Sequence, residues 1–223
     1  MKNFICIILL ILTNANVFCQ NNFLIFPKVS YTFNSIKYES NWKDLTTFTK
    51  QYTYGFGINV GKIFLNSEDI KVSVDIGIEY SHFLLSANID TSKTINNNKV
   101  FNKSYDENFN FISIPLRGII YFPVISSYIV PGIEISLINN FPSLLNSSGS
   151  AQLLNGSIKE YNISVNDYFF SFSIGLLLKI PINKFSIVIY GAYESSLQYL
   201  YKNKSANLTI NGFNISLLGT FNL

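Results

Sequence analysis

The side chains able to do chemistry are few, because His82 is the single histidine and Arg117 the single arginine in the 223 residues. A nucleophilic relay needs a histidine within hydrogen-bond reach of a serine or a carboxylate. Ser81 is adjacent in sequence, but strand alternation puts neighbouring side chains on opposite faces and leaves His82 beside Tyr80. His82 therefore reads as an interfacial side chain, and no catalytic residue is assigned. With one histidine, and with Cys6 and Cys19 both near the N-terminus, a transition-metal site is not expected. Asp and Glu are sparse in the connecting segments, so no metal or cofactor is assigned and the chain is read as not an enzyme.

Arg117, Asp75, Glu79 and Glu134 form the more pointed group. If Ser113, Pro115, Arg117 and Ile119 share an inward face, hairpin register brings Arg117 beside Glu79 and Glu134. Charges enclosed in a narrow barrel need partners, since an isolated buried ion is expensive to desolvate. Two readings stay open: a structural plug of ion pairs that fills the lumen, or a selectivity ring or gate in a small pore.

Both readings require a lumen, and the chain supplies strands that can enclose one. In 70–80, Val72, Val74, Ile76, Ile78 and Tyr80 share one face while Lys71, Ser73, Asp75, Gly77 and Glu79 share the other. One face is apolar throughout and the other is charged or glycine, which suits a strand between lipid and an aqueous centre. The same period recurs in 52–61, 169–180 and 213–223, the last with Leu218 out of phase. Less regular candidates at 24–33, 109–122, 127–138 and 185–199 bring the number to eight. Pro115 and Pro131 interrupt two of these, so a bulge is expected where a ladder bond is absent. Aromatic residues make up 16% of the chain and charged residues 13%, a balance suited to a surface that faces lipid. A soluble lipocalin-like barrel is the alternative, and it predicts the opposite polarity, apolar inside and polar outside.

Connections alternate between long and short, as on the two sides of an outer-membrane barrel. Long polar ones fall at 34–50, 88–107, 139–167 and 202–207, and short ones at 66–69, 123–126 and 181–184. The expected architecture is an all-β, eight-stranded antiparallel transmembrane barrel with both termini periplasmic and the last strand paired to the first. Tyr121, Phe122, Tyr128, Tyr168, Tyr190, Tyr199 and Tyr201 fall near strand ends, where interfacial aromatics sit. Residues 1–19 read as a cleaved signal peptide, with Lys2 before a short apolar core, and 20–223 as the barrel domain. Cleavage after Cys19 removes both cysteines and leaves Gln20 first, whereas the bulky Phe18 disfavours lipidation of Cys19. Lys and Arg number 16 against 13 Asp and Glu. That balance indicates no nucleic-acid partner.

Three strings resemble the PorT-like outer-membrane β-barrel family of Bacteroidota-type bacteria: Phe111-Ile112-Ser113-Ile114-Pro115-Leu116, Tyr193-Glu194-Ser195-Ser196-Leu197 and Leu217-Leu218-Gly219-Thr220-Phe221. Ala192 stands where many relatives have arginine, and the chain ends in leucine rather than an aromatic. The resemblance implies an outer-membrane barrel and permits an accessory role in protein secretion. The expected partners are outer-membrane lipid, the barrel-insertion machinery during assembly, and an extracellular or secretion-system protein. The function expected is structural or surface-interacting through long extracellular loops, with a narrow pore and a secretion accessory as alternatives. Leu144, Leu145, Leu153 and Leu154 in the 139–167 loop are the candidate contact residues, expected to fold over the barrel mouth.

Overall fold

A computed structural model describes residues 23–39, 45–90, 102–123, 128–182, 185–201 and 207–222. The signal peptide expected at 1–19 lies outside these residues. Ten strands follow in order: β1 (Phe23–Glu39), β2 (Thr46–Asn66), β3 (Lys71–Ile89), β4 (Asn102–Tyr121), β5 (Val130–Phe141), β6 (Ser148–Leu153), β7 (Ile158–Asn162), β8 (Phe169–Ile182), β9 (Phe185–Ser196) and β10 (Asn207–Asn222). All pairings are antiparallel. β1 pairs with β10 from Leu24↔Asn222 to Glu39↔Asn207, and β3 pairs with β4, so eight strands close into a ring while β6 and β7 extend it beside β4. Closure of this kind leaves no open sheet edge to hydrocarbon, where each unpaired backbone group would cost several kcal/mol.

The outward faces carry an apolar belt. Ile78 (62% exposed), Leu176 (70%), Phe56 (61%), Ile135 and Leu217 point away from the barrel, while Asp75 and Arg117 on the inward face are 2% exposed. This is the polarity of a barrel in lipid and the reverse of a soluble lipocalin-like one.

The bulges expected at Pro115 and Pro131 are absent, since the ladders keep register past both; Pro115 sits instead at an in-register gap. The β3–β4 ladder runs to Ile76↔Leu116 and resumes at Glu79↔Ser113, so the missing proline N–H falls in a gap in the ladder. That agrees with the confinement of strand prolines to irregular positions.

The strands are longer than their apolar alternation. β2 has 21 residues; at ~3.3 Å each and a tilt near 40° these rise about 50 Å, well past a ~25 Å apolar band. The excess lies at the end carrying the long connections, hereafter the long end. There the polarity inverts: on β3 the apolar residues change from outward Val74, Ile76 and Ile78 to inward Phe83, Leu85 and Ala87. Above the membrane the outer face meets water and the inner face must form a core. Within the polar loops expected at 34–50 and 88–107, residues 34–39, 46–50, 88–89 and 102–107 are therefore strand. The expected 139–167 loop likewise contains a turn of 3-10 helix at Pro142–Leu144 and the β6–β7 hairpin, whose β6 pairs with β4 from Asn102↔Leu153 to Asn108↔Ser148.

A charge placed on the belt tests this orientation. Leu176→Arg is expected to destabilise the barrel by about 2–4 kcal/mol, whereas Ser150→Arg beyond the belt changes little, as read by urea-dependent folding into lipid vesicles.

Candidate functional site

Inward side chains fill the lumen in four successive layers. Nearest the short-turn end, Leu24, Phe26, Ile119, Tyr121, Leu177, Val188, Tyr190 and Leu218 form an apolar layer. Leu218, out of phase in the sequence, is inward here because this layer is apolar. Tyr121 and Tyr190, read as interfacial aromatics, also point into it, whereas Tyr128, Tyr168 and Tyr199 are exposed.

Arg117 centres the second layer. Its guanidinium reaches three carboxylates: Nη2 to Glu79, Nη1 to Asp75 at 3.7 Å and Nε to Glu134 at 3.6 Å. Lys28 of β1 completes Glu79 from the far side, with Nζ 3.0 Å from Oε2 and 3.2 Å from Oε1. Oriented with its oxygen toward the arginine, Asn59 accepts from both Nη1 and Nη2 at 3.3 Å. The planar five-donor fork of arginine is what allows four neighbours to share one cation. Gly77 belongs to this site as well, because a Cβ there would lie 1.7 Å from the Asn59 amide. The structure thus gathers Arg117, Asp75, Glu79 and Glu134 in one buried cluster. Lys28 and Asn59 were not singled out from the sequence: Lys28 reaches Glu79 across the lumen from β1, which does not pair with β3, and Asn59, opposite Gly77 in the β2–β3 hairpin, carries no charge to mark it.

The third layer is polar and, apart from Glu194, uncharged. Ser113 donates to Asn140 Oδ1 at 2.6 Å, Asn140 Nδ2 to Ser171 at 3.0 Å, and Asn214 Nδ2 to Thr32 at 2.9 Å. These residues, with Lys28, Glu79 and Glu194, surround a cavity of about 50 Å³, room for a few water molecules.

An apolar cap of Phe83, Leu85, Phe109, Phe111, Phe169, Leu200 and Leu208 covers that cavity at the long end. The leucines read as loop contacts are not part of this cap. Leu144 and Leu154 are 62% and 57% exposed and Leu145 and Leu153 are half-buried, while Leu200 and Leu208 are buried in the cap. Glu107, on the inward face of β4 beyond the cap, ties two segments down. Tyr161 of β7 donates to its Oε1 at 3.0 Å and Tyr201 donates to its Oε2. Burial raises the Glu107 pKa, against the lowering effect of the two tyrosine hydrogen bonds.

Outside the lumen, His82 faces outward, with its ring against Tyr54.

No family model matches the chain, and no curated protein is similar to it in sequence. Solved structures do match its fold. The outer membrane protease OmpT of Escherichia coli superposes with a TM-score of 0.50 at 9% identity, covering 91% of this chain and 94% of OmpT. The outer membrane enzyme PagL matches at 0.44 and 13% identity, with coverage of 89% and 99%. Ail, the attachment invasion locus protein of Yersinia pestis, matches at 0.43 and 12%, with coverage of 90% and 99%. The fold is that of bacterial outer-membrane β-barrels, and the apolar belt places it in a bilayer. The exclusion of enzymatic activity is corrected by the same comparison. OmpT is a protease on this fold, so the architecture does not exclude catalysis.

Two predictions follow from the lumen and its cap. Arg117→Ala leaves three buried carboxylates without their shared cation and is expected to cost about 3–5 kcal/mol, with Arg117→Lys a poor substitute; both are read as vesicle-folding stability. For Glu107, a folded pKa above that of the open chain means the cap is fully stabilised below the ordinary carboxylate range, near 4.3. That stability is lost as pH rises through the raised value. Resistance of the 142–168 segment to thermolysin, normalised to a denatured substrate, should fall over that rise in wild type and stay flat in Glu107→Gln.

Proposed function

We propose that this protein is a closed outer-membrane barrel whose working part is the rigid sheet it holds beyond the membrane, offered to an external protein partner. The supporting observation is the occupied lumen: a buried ion cluster between two apolar layers leaves a small cavity and no continuous channel among the described residues. A barrel of about eight strands is just wide enough for side chains to fill it, so the Arg117 cluster is read as a structural plug rather than a gate. In this reading the long end faces outward and the short turns face the periplasm, as is general for such barrels. β6 and β7 are anchored through β4 and Glu107, and they carry Leu154 and the 71% exposed Ile158 at their tip. A pre-ordered surface avoids the ordering cost that a loose loop incurs on binding. The secretion-accessory role implied by the PorT-like strings has those strings alone behind it, and co-purification of secretion components would be its support.

Planar-bilayer recording should give no steady current from wild type, and a reproducible single-channel current would overturn the plug. Removing residues 148–162 should abolish adhesion of expressing cells to their target surface while the barrel keeps its heat-modifiable gel migration. Unchanged adhesion in that deletion would count against the display role.

A further inference from the structure

The outward face of β2, β3 and β4 changes character where the belt gives way toward the long end. On β3 the outward residues after Val74, Ile76 and Ile78 are Tyr80 and His82, and strand register sets Tyr54 and Asn110 on either side of His82. Rings gather here: Tyr54 and His82 at 4.9 Å, Phe56 and Tyr80 at 5.3 Å, and Tyr31 stacked on Tyr52 at 5.7 Å. Aromatic rings at this depth mark the level of lipid headgroups.

The hydrogen bonds around Asn110 fix more than a girdle needs. Its Nδ2 donates to the Asn146 carbonyl at 2.8 Å, and its Oδ1 accepts from the Tyr80 hydroxyl at 2.7 Å. Reversing the amide would set oxygen against the Asn146 oxygen, so Oδ1 must face His82. His82 Nδ1 lies 2.6 Å from that Oδ1. An amide oxygen has no proton to give, so Nδ1 carries the proton and Nε2 of the neutral ring keeps a lone pair. Nε2 makes no hydrogen bond among the described residues, and the ring is half-buried. Further along the same face, Lys50 and Asp106 flank Ser86 on its two neighbouring strands. Their charges offset each other, so nothing local selects for an anion.

We propose that His82, Asn110 and Tyr54 form a binding site for the sugar headgroup of a membrane glycolipid. A sugar hydroxyl donates to the oriented Nε2. The second N–H of the Asn110 amide donates to a ring or hydroxyl oxygen. The ring of Tyr54, a residue 45% exposed, packs against sugar C–H groups, whose partial positive charge suits the negative face of the ring. A phosphate is a poorer match, since a neutral Nε2 accepts a hydrogen bond and has none to give.

The lone histidine makes the test direct, because isotope-labelled histidine gives one imidazole signal set. Wild-type protein in phosphatidylcholine nanodiscs should show a protonated Nδ1 and an unprotonated Nε2 by 15N NMR. Adding monogalactosyl diacylglycerol should move the Nε2 resonance upfield in a saturable way, while the same mole fraction of phosphatidylglycerol should not. Asn110→Ala should release the tautomer preference and weaken the apparent glycolipid affinity by about tenfold. Tyr54→Leu should weaken the affinity with the tautomer intact. A protonated Nε2 in wild type, no response to the glycolipid, or an equal response to phosphatidylglycerol overturns the proposal, and wild type alone decides it if a variant does not refold.

Discussion

A backbone amide inside a bilayer has no water to bond with, and that constraint reaches every part of this chain. It forces β10 to meet β1 and β4 to meet β3, because any other arrangement leaves a row of unpaired N–H and C=O groups in hydrocarbon. It also explains why Pro115, which has no N–H to lose, can sit in a membrane strand at a gap in the ladder. Once the ring is closed its circumference is set, and so is the narrow space that the inward side chains must share.

That space contains the second problem, which is charge. Arg117 stands among Asp75, Glu79 and Glu134 in a place where no single ion would be stable alone, and Lys28 and Asn59 complete the set from β1 and β2. Replacing such a cluster with apolar packing is often neutral or stabilising in other proteins. Its stability alone does not account for it, but it also discriminates. Only the native register places one guanidinium between carboxylates from β3 and β5, and a strand slipped by one residue would turn those charges into lipid.

Beyond the membrane the same strands meet a different solvent and invert their polarity. Phe83, Leu85, Phe109 and Phe111 turn apolar side chains inward to make a small core, and Glu107 binds the β6–β7 hairpin and the Tyr201 segment onto it through two tyrosines. One continuous sheet thus spans two environments, and the point of inversion on β3 lies between Tyr80 and Phe83. The outward-facing His82 sits at that boundary, where lipid gives way to water.

The sequence by itself determined the membrane barrel. Strict alternation in 70–80 and 169–180 specifies two faces of opposite character, and facing side chains repeat every second residue whatever the neighbouring strands do. It also marked Arg117 and its three carboxylates, because β3, β4 and β5 are consecutive strands and hairpin register can be counted through the connections that adjoin them. Only the tertiary structure decided how far the strands run, since alternation that changes phase at the water boundary reads as an end of strand. It alone brought Lys28 across the lumen to Glu79, and Leu200, Leu208 and Tyr201 over the mouth. Those contacts depend on the register between strands distant in sequence, which closure fixes and no local pattern encodes.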